Sequence, residues 1–136
     1  MAGRPPTVID LVWEGGGRLR ARAEDRSMLQ DWEGAAGPTP VETLAFALAG
    51  CMASDVVLIL EKGRLPLRGL RVRLTAERAE TDPRRFLRVA LDFAVEGDLP
   101  PDRVARAIAL SRETYCSVWH SMRPDIELRT TFSITA

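Results

Sequence analysis

Hydrophobic and polar positions change rhythm several times along the chain, and each change marks an element. In "TVIDLVW" (7–13) the alternation puts Ile9, Leu11 and Trp13 on one face, the period of a strand. "GGG" (15–17) reads as a hairpin turn. "RLRARA" (18–23) sets Leu19, Ala21 and Ala23 against Arg18, Arg20 and Arg22, which predicts a half-exposed strand. "SMLQDW" (27–32) predicts a short third strand, and "EGAAGPTP" (33–40) a loop.

The rhythm breaks at "LAFALAGCMASDVVLIL" (44–60), which is apolar at almost every position. A helix start signal precedes it. Thr39 can cap, Pro40 suits the first helical position, and Glu42 completes a capping box with Thr39. Gly63 is the expected end, so the helix runs from 40 to 62, ~34 Å at 1.5 Å per residue. Between Leu44 and Ala53 it is apolar on nearly every side and must be enclosed on nearly every side. One small sheet covers only one face. A second sheet from a partner chain is the simplest cover for the rest.

Period two returns in "LRGLRVRLTAER" (67–78), with Leu70, Val72, Leu74 and Ala76 inward and Arg71, Arg73 and Thr75 outward. After a turn at 79–84, the return strand (85–97) aligns Leu87, Val89, Leu91, Phe93 and Val95. A second helix is predicted over 100–116, with Val104, Ala107, Ile108 and Leu110 as its stripe and Cys116 near its end. The last strand (125–135) alternates Ile126, Leu128, Thr130, Phe132 and Ile134. Runs of strands separated by helices predict an α+β class with largely antiparallel pairing, in a single domain over 1–136.

Composition adds limits. Apolar residues are 46% and charged residues 28%, as in ordinary globular proteins. The net charge is zero, so nothing points to a nucleic-acid partner. The opening "MAGRPPTVID" has no signal-peptide core, and Asp55 interrupts the apolar helix. The expectation is a soluble cytoplasmic protein without a membrane partner. In that compartment Cys51 and Cys116 are two inert thiols or a redox couple. No C-x-x-C spacing and no Cys/His cluster suggests a metal, and no cofactor is expected.

"GPTPVETLAFALAGCMASDVVLIL" (37–60), the hairpin over 76–97 and "RAIALSRETYCSV" (106–118) together resemble the OsmC/Ohr family, the osmotically inducible and organic hydroperoxide resistance proteins. The specific parts are the G-P-x-P-x-E-x-L helix opening, a cysteine nine residues after that glutamate, and Y-C-S-V after the second helix. The resemblance spans the whole chain. It implies an OsmC-like fold: antiparallel sheets wrapped around a long central helix, in an intertwined homodimer. It also implies that Cys51 attacks an organic hydroperoxide, that Cys116 resolves the product, and that an external dithiol resets the pair.

A thiol in apolar surroundings loses acidity, so a cation or donor must hold the thiolate. In peroxidase members an arginine and a glutamate do this. The matching positions here are Asp31 and Val41. Glu42, one residue on, and an arginine of the first hairpin are the candidate substitutes; Arg20 is one of four, with Arg18, Arg22 and Arg26. Each residue also has a plain structural reading. Cys51 is then a small core residue, Glu42 a helix cap, and Asp55 a partner in a structural hydrogen bond. His120 is a surface group, and Tyr115 and Trp119 are core or interface aromatics. Two functions follow. One is thiol-dependent reduction of organic hydroperoxides. The other is a dimeric binding protein that holds a small hydrophobic ligand at its interface without turnover.

Overall fold

The computed structural model describes residues 3–136. The chain divides into two compact units, Met1–Leu44 and Ala45–Ala136.

The first unit is an antiparallel meander of β1 (Asp10–Gly15), β2 (Arg18–Ala23) and β3 (Arg26–Asp31), in that spatial order. β1 starts at Asp10, three residues later than the alternation from Thr7 suggests. The hairpin turn is where the glycines predict it. Gly15 and Gly16 have φ of 97° and 55°, a region that side chains disfavour, and the Trp13 indole N–H donates to the Gly16 carbonyl at 3.0 Å. At the end of β3, Asp31 is buried. Its carboxylate accepts the backbone N–H groups of Ala36 and Glu33, each at 2.9 Å, and these bonds hold it below the usual carboxylate range. Asp31 therefore organises the loop that leads into the long helix.

That helix, α1 (Pro40–Lys62), has the bounds its sequence predicts. Its capping box is formed. Thr39 Oγ1 accepts the Glu42 N–H at 3.1 Å, and Glu42 Oε1 accepts the Thr39 N–H at 2.9 Å. The far end differs from expectation in one detail. The left-handed residue is Arg64, with φ of 58°, rather than Gly63. The Leu65 N–H bonds the Leu60 carbonyl and the Arg64 N–H bonds the Glu61 carbonyl, which is a Schellman closure with Gly63 as C-cap.

The second unit buries one stripe of α1: Leu48, Met52, Val56 and Leu60. The four-residue spacing brings each nearly above the last on a helix. Phe46 and Leu58, on other faces, stay 67% and 57% exposed. By length and apolarity this helix would also cross a membrane, and Asp55 does not remove it from that class. What ties it to the rest of the unit is its buried stripe.

β4 (Leu67–Arg78) and β5 (Phe86–Gly97) form a long antiparallel hairpin. Val89, Leu91, Phe93 and Val95 are buried as predicted, but Phe86 replaces Leu87 at the start of the row. The reason is a register shift: Glu77 faces Arg88 while Arg78 faces Phe86, so Leu87 is the extra residue of a bulge. β6 (Glu127–Thr135) then pairs with β5 in parallel. The expectation of largely antiparallel pairing holds, since the other three pairs are antiparallel and this one alone among the described strands is parallel. The segment between β5 and β6 contains helices, and such a crossover returns the chain to the sheet running in the same direction.

The predicted single helix over 100–116 is two pieces, α2 (Pro101–Leu110) and one π-helical turn (Ser111–Tyr115), and a short α3 (Ser117–His120) follows it. Cys116 sits at the break, extended at φ −73° and ψ 97°. α2 lies beside β6 and buries Val104, Ala107 and Ile108. The next position of that face is Ser111 rather than Leu110, so the row ends in a hydroxyl.

Candidate functional site

Cys51 lies mid-way along α1, and Asp55 follows one turn later on the same face. Cys116 arrives from the other side of the sequence. The π turn carries it, with the Cys116 N–H bonded to the Ser111 carbonyl five residues back at 2.8 Å. The outcome is a cluster. Cys51 Sγ, an Asp55 carboxylate oxygen and Cys116 Sγ all lie within 4.8 Å of one another. Cys51 is half-buried, Cys116 fully buried, and neither is in a disulfide.

Two bonds fix the surroundings. Ser111 Oγ donates to Asp55 Oδ2 at 2.8 Å, the structural hydrogen bond that the sequence suggests for this acid. The Trp119 N–H donates to Cys116 Sγ at 3.3 Å, so the thiol caps the short α3. Burial pushes the Cys116 thiol up to about 11. The Trp119 N–H opposes the rise, and the Cys51 sulfur beside it adds to it. At neutral pH Cys116 is therefore a thiol, available as an S–H donor.

That raised value has a consequence for stability. The ordinary thiol value is 9.0, and the folded one is higher, so the unfolded chain loses its proton first as pH rises. Stability from burying the neutral thiol is complete below pH 9.0 and falls away as pH climbs to about 11. Urea unfolding of the reduced protein is expected to show a midpoint dropping across that window. Cys116→Ser, which has nothing to titrate there, is expected to flatten the drop. An unchanged slope in the variant would assign the alkaline loss to another group.

The other predicted site residues lie in the first unit. Glu42 is engaged in the capping box. Arg20 pairs with Glu14 at 3.3 Å, and Arg18 donates to the Glu14 carbonyl. Asp31 is held by backbone donors, and Val41 is half-buried. His120 is exposed, its Nε2 2.9 Å from the Arg112 carbonyl oxygen. Tyr115 is 56% exposed, so it is no core residue of this chain. Sequence reasoning did not place Ser111 at the site. The signal was available in the apolar row of α2, whose fourth member by period is a serine.

Three comparisons bear on this arrangement. A family model described as OsmC-like protein matches residues 33–131. The chain is 39% identical over 120 residues to Protein YhfA of Escherichia coli K12, covering 87% of this chain and 90% of that one. Among solved structures, a hypothetical protein from Aquifex aeolicus is similar with a TM-score of 0.89, at 20% identity, covering 97% of this chain and 98% of that one. An organic hydroperoxide resistance protein from Elizabethkingia anophelis is similar with a TM-score of 0.72, at 16% identity, covering 99% and 100%. These two structural likenesses concern the fold.

Proposed function

The chain belongs to the OsmC-like protein family, and from that premise we propose that it reduces organic hydroperoxides with its two thiols, as a cytoplasmic homodimer. The Cys51 thiolate attacks one oxygen of the peroxide. The O–O bond breaks, Cys51 becomes a sulfenic acid, and the alkoxide leaves as an alcohol by taking up the proton that the Cys51 thiol gave up on forming its thiolate. Cys116 then attacks that sulfur, a disulfide forms, and water leaves with the thiol's proton. An external dithiol restores both thiols by exchange. The observation that carries this reading is the grouping of the two sulfurs within 4.8 Å, one half-buried and the other enclosed. A peroxide reaches the first while the second is kept for the product.

The homodimer reading is supported by large apolar side chains left open. Phe46 and Leu58 on α1, and Trp13 and Trp32 in the first unit, are each more than half exposed. Such a quantity of exposed apolar surface calls for a cover. A second copy supplies one, and the apolar surroundings then favour an alkyl or fatty-acid hydroperoxide over a small polar oxidant. In this reading the whole chain works as one domain. Glu42 and Arg20 act in support only if dimerisation or substrate frees them from their present partners.

The test is a thiol count. Reduced protein treated with cumene hydroperoxide is expected to lose both thiols rapidly, and Cys116→Ala to stop at a sulfenic acid on Cys51. Thiols that survive many equivalents of oxidant would instead support a dimeric binding protein for a small hydrophobic ligand. One feature favours that second reading. A carboxylate, Asp55, stands beside the sulfurs, and a carboxylate does nothing to hold a thiolate.

A further inference from the structure

Two thiols and a carboxylate converging from two elements make a donor set that lacks only a cation. We propose that the reduced protein binds one thiophilic divalent cation per chain, zinc, through Cys51 Sγ, an Asp55 carboxylate oxygen and Cys116 Sγ. A tetrahedral zinc ion with Zn–S of about 2.3 Å and Zn–O of about 2.0–2.2 Å holds its ligand atoms about 3.6–3.8 Å apart. The three atoms here lie within 4.8 Å of one another, so closing onto a metal takes side-chain adjustments of about 1 Å. Two sulfurs and one oxygen are the ligand chemistry of zinc rather than of calcium or magnesium, which take oxygen alone.

The outer contacts fit as well. Ser111 Oγ orients the Asp55 carboxylate through Oδ2, leaving Oδ1 for a metal. The Trp119 N–H points at Cys116 Sγ, a donor of the kind that steadies a ligating thiolate. Cys51 and Asp55 are half-buried, so an ion can reach the cluster, and three protein ligands leave a fourth position for water. Binding displaces one proton from each thiol, and no electron moves. Formation of a Cys51–Cys116 disulfide removes two of the three ligands, so metal binding and oxidation exclude one another.

The experiment uses the full-length protein, reduced and freed of metal with a chelator. Zinc chloride is titrated in competition with a chromophoric chelator, and cobalt chloride is added in parallel to read the ligands. The expected result is one zinc per chain, with a thiolate-to-cobalt charge-transfer band and the intense visible bands of a tetrahedral ion. Cys116→Ser and Asp55→Asn are each expected to weaken zinc by about tenfold or more, and Ser111→Ala by about tenfold. Disulfide-oxidised protein is expected to bind none. Absence of the charge-transfer band in the wild type would overturn the proposal, whether or not the variants fold. So would equal affinity in the oxidised protein. The site does not depend on the peroxidase reading. Protein that binds no zinc yet loses both thiols to cumene hydroperoxide sinks this inference alone, and protein that binds zinc but, freed of metal, keeps its thiols through cumene hydroperoxide sinks only the other.

Discussion

Replacing Cys51 with alanine is expected to end hydroperoxide consumption, lowering the rate by about a thousandfold or more, as loss of a nucleophile does in enzymes that form a covalent intermediate. Cys116 cannot take over. It is fully buried, and burial, the main cause of its raised pKa, remains when Cys51 is gone and disfavours the thiolate. The variant is expected to fold, because alanine is small, helix-favouring and well suited to a half-buried position in α1. The measurement is the decay of cumene hydroperoxide with a dithiol in excess, beside circular dichroism of the variant. If the variant kept a tenth of the wild-type rate, the attacking group would have to be sought elsewhere.

Phe93→Ala is expected to produce the largest loss of stability. Phe93 is wholly buried in β5, the central strand of its sheet, opposite Val72 of β4 and Phe132 of β6. Removing a buried phenyl ring costs about 3–5 kcal/mol, through lost transfer energy and the cavity left behind. Domains hold only about 5–15 kcal/mol in total, so the variant sits near the edge of folding at 25 °C. Urea unfolding under reducing conditions reads this directly. A shift in stability below about 1 kcal/mol would mean that the surrounding side chains close over the gap, or that the core is centred elsewhere.

Much of the fold was legible because its signals are local. The α1 bounds follow from Thr39, Pro40 and Glu42 at one end and the Lys62–Gly63 stop at the other. The strands β2 and β4 follow from plain alternation. The features that escaped are those where distant contacts choose among locally equal options. Nothing near Leu87 says that it is a bulge, because that depends on how Arg78 meets Phe86 across the hairpin. The parallel pairing of β6 depends on where the helical segment returns the chain. Period 3.6 over 100–116 predicts an unbroken helix, and the π turn is one residue's departure from it. At the site, two cysteines far apart in sequence suggest a pair through family resemblance. Asp55 one turn after Cys51 is plain from their spacing in α1, but that Ser111 and Cys116 meet this face could not be read along the chain, since they come from another element.

The π turn at Ser111–Tyr115 amounts to a single residue inserted into the helix. In a regular α-helix each residue advances the direction of its side chain by about 100°. Were the same residues wound as a regular α-helix with none removed, the Cys116 side chain would swing by about that angle from its present direction. Both sulfurs would remain in the sequence and neither would face the other. Their partnership depends on phase, and the wide turn is what sets it.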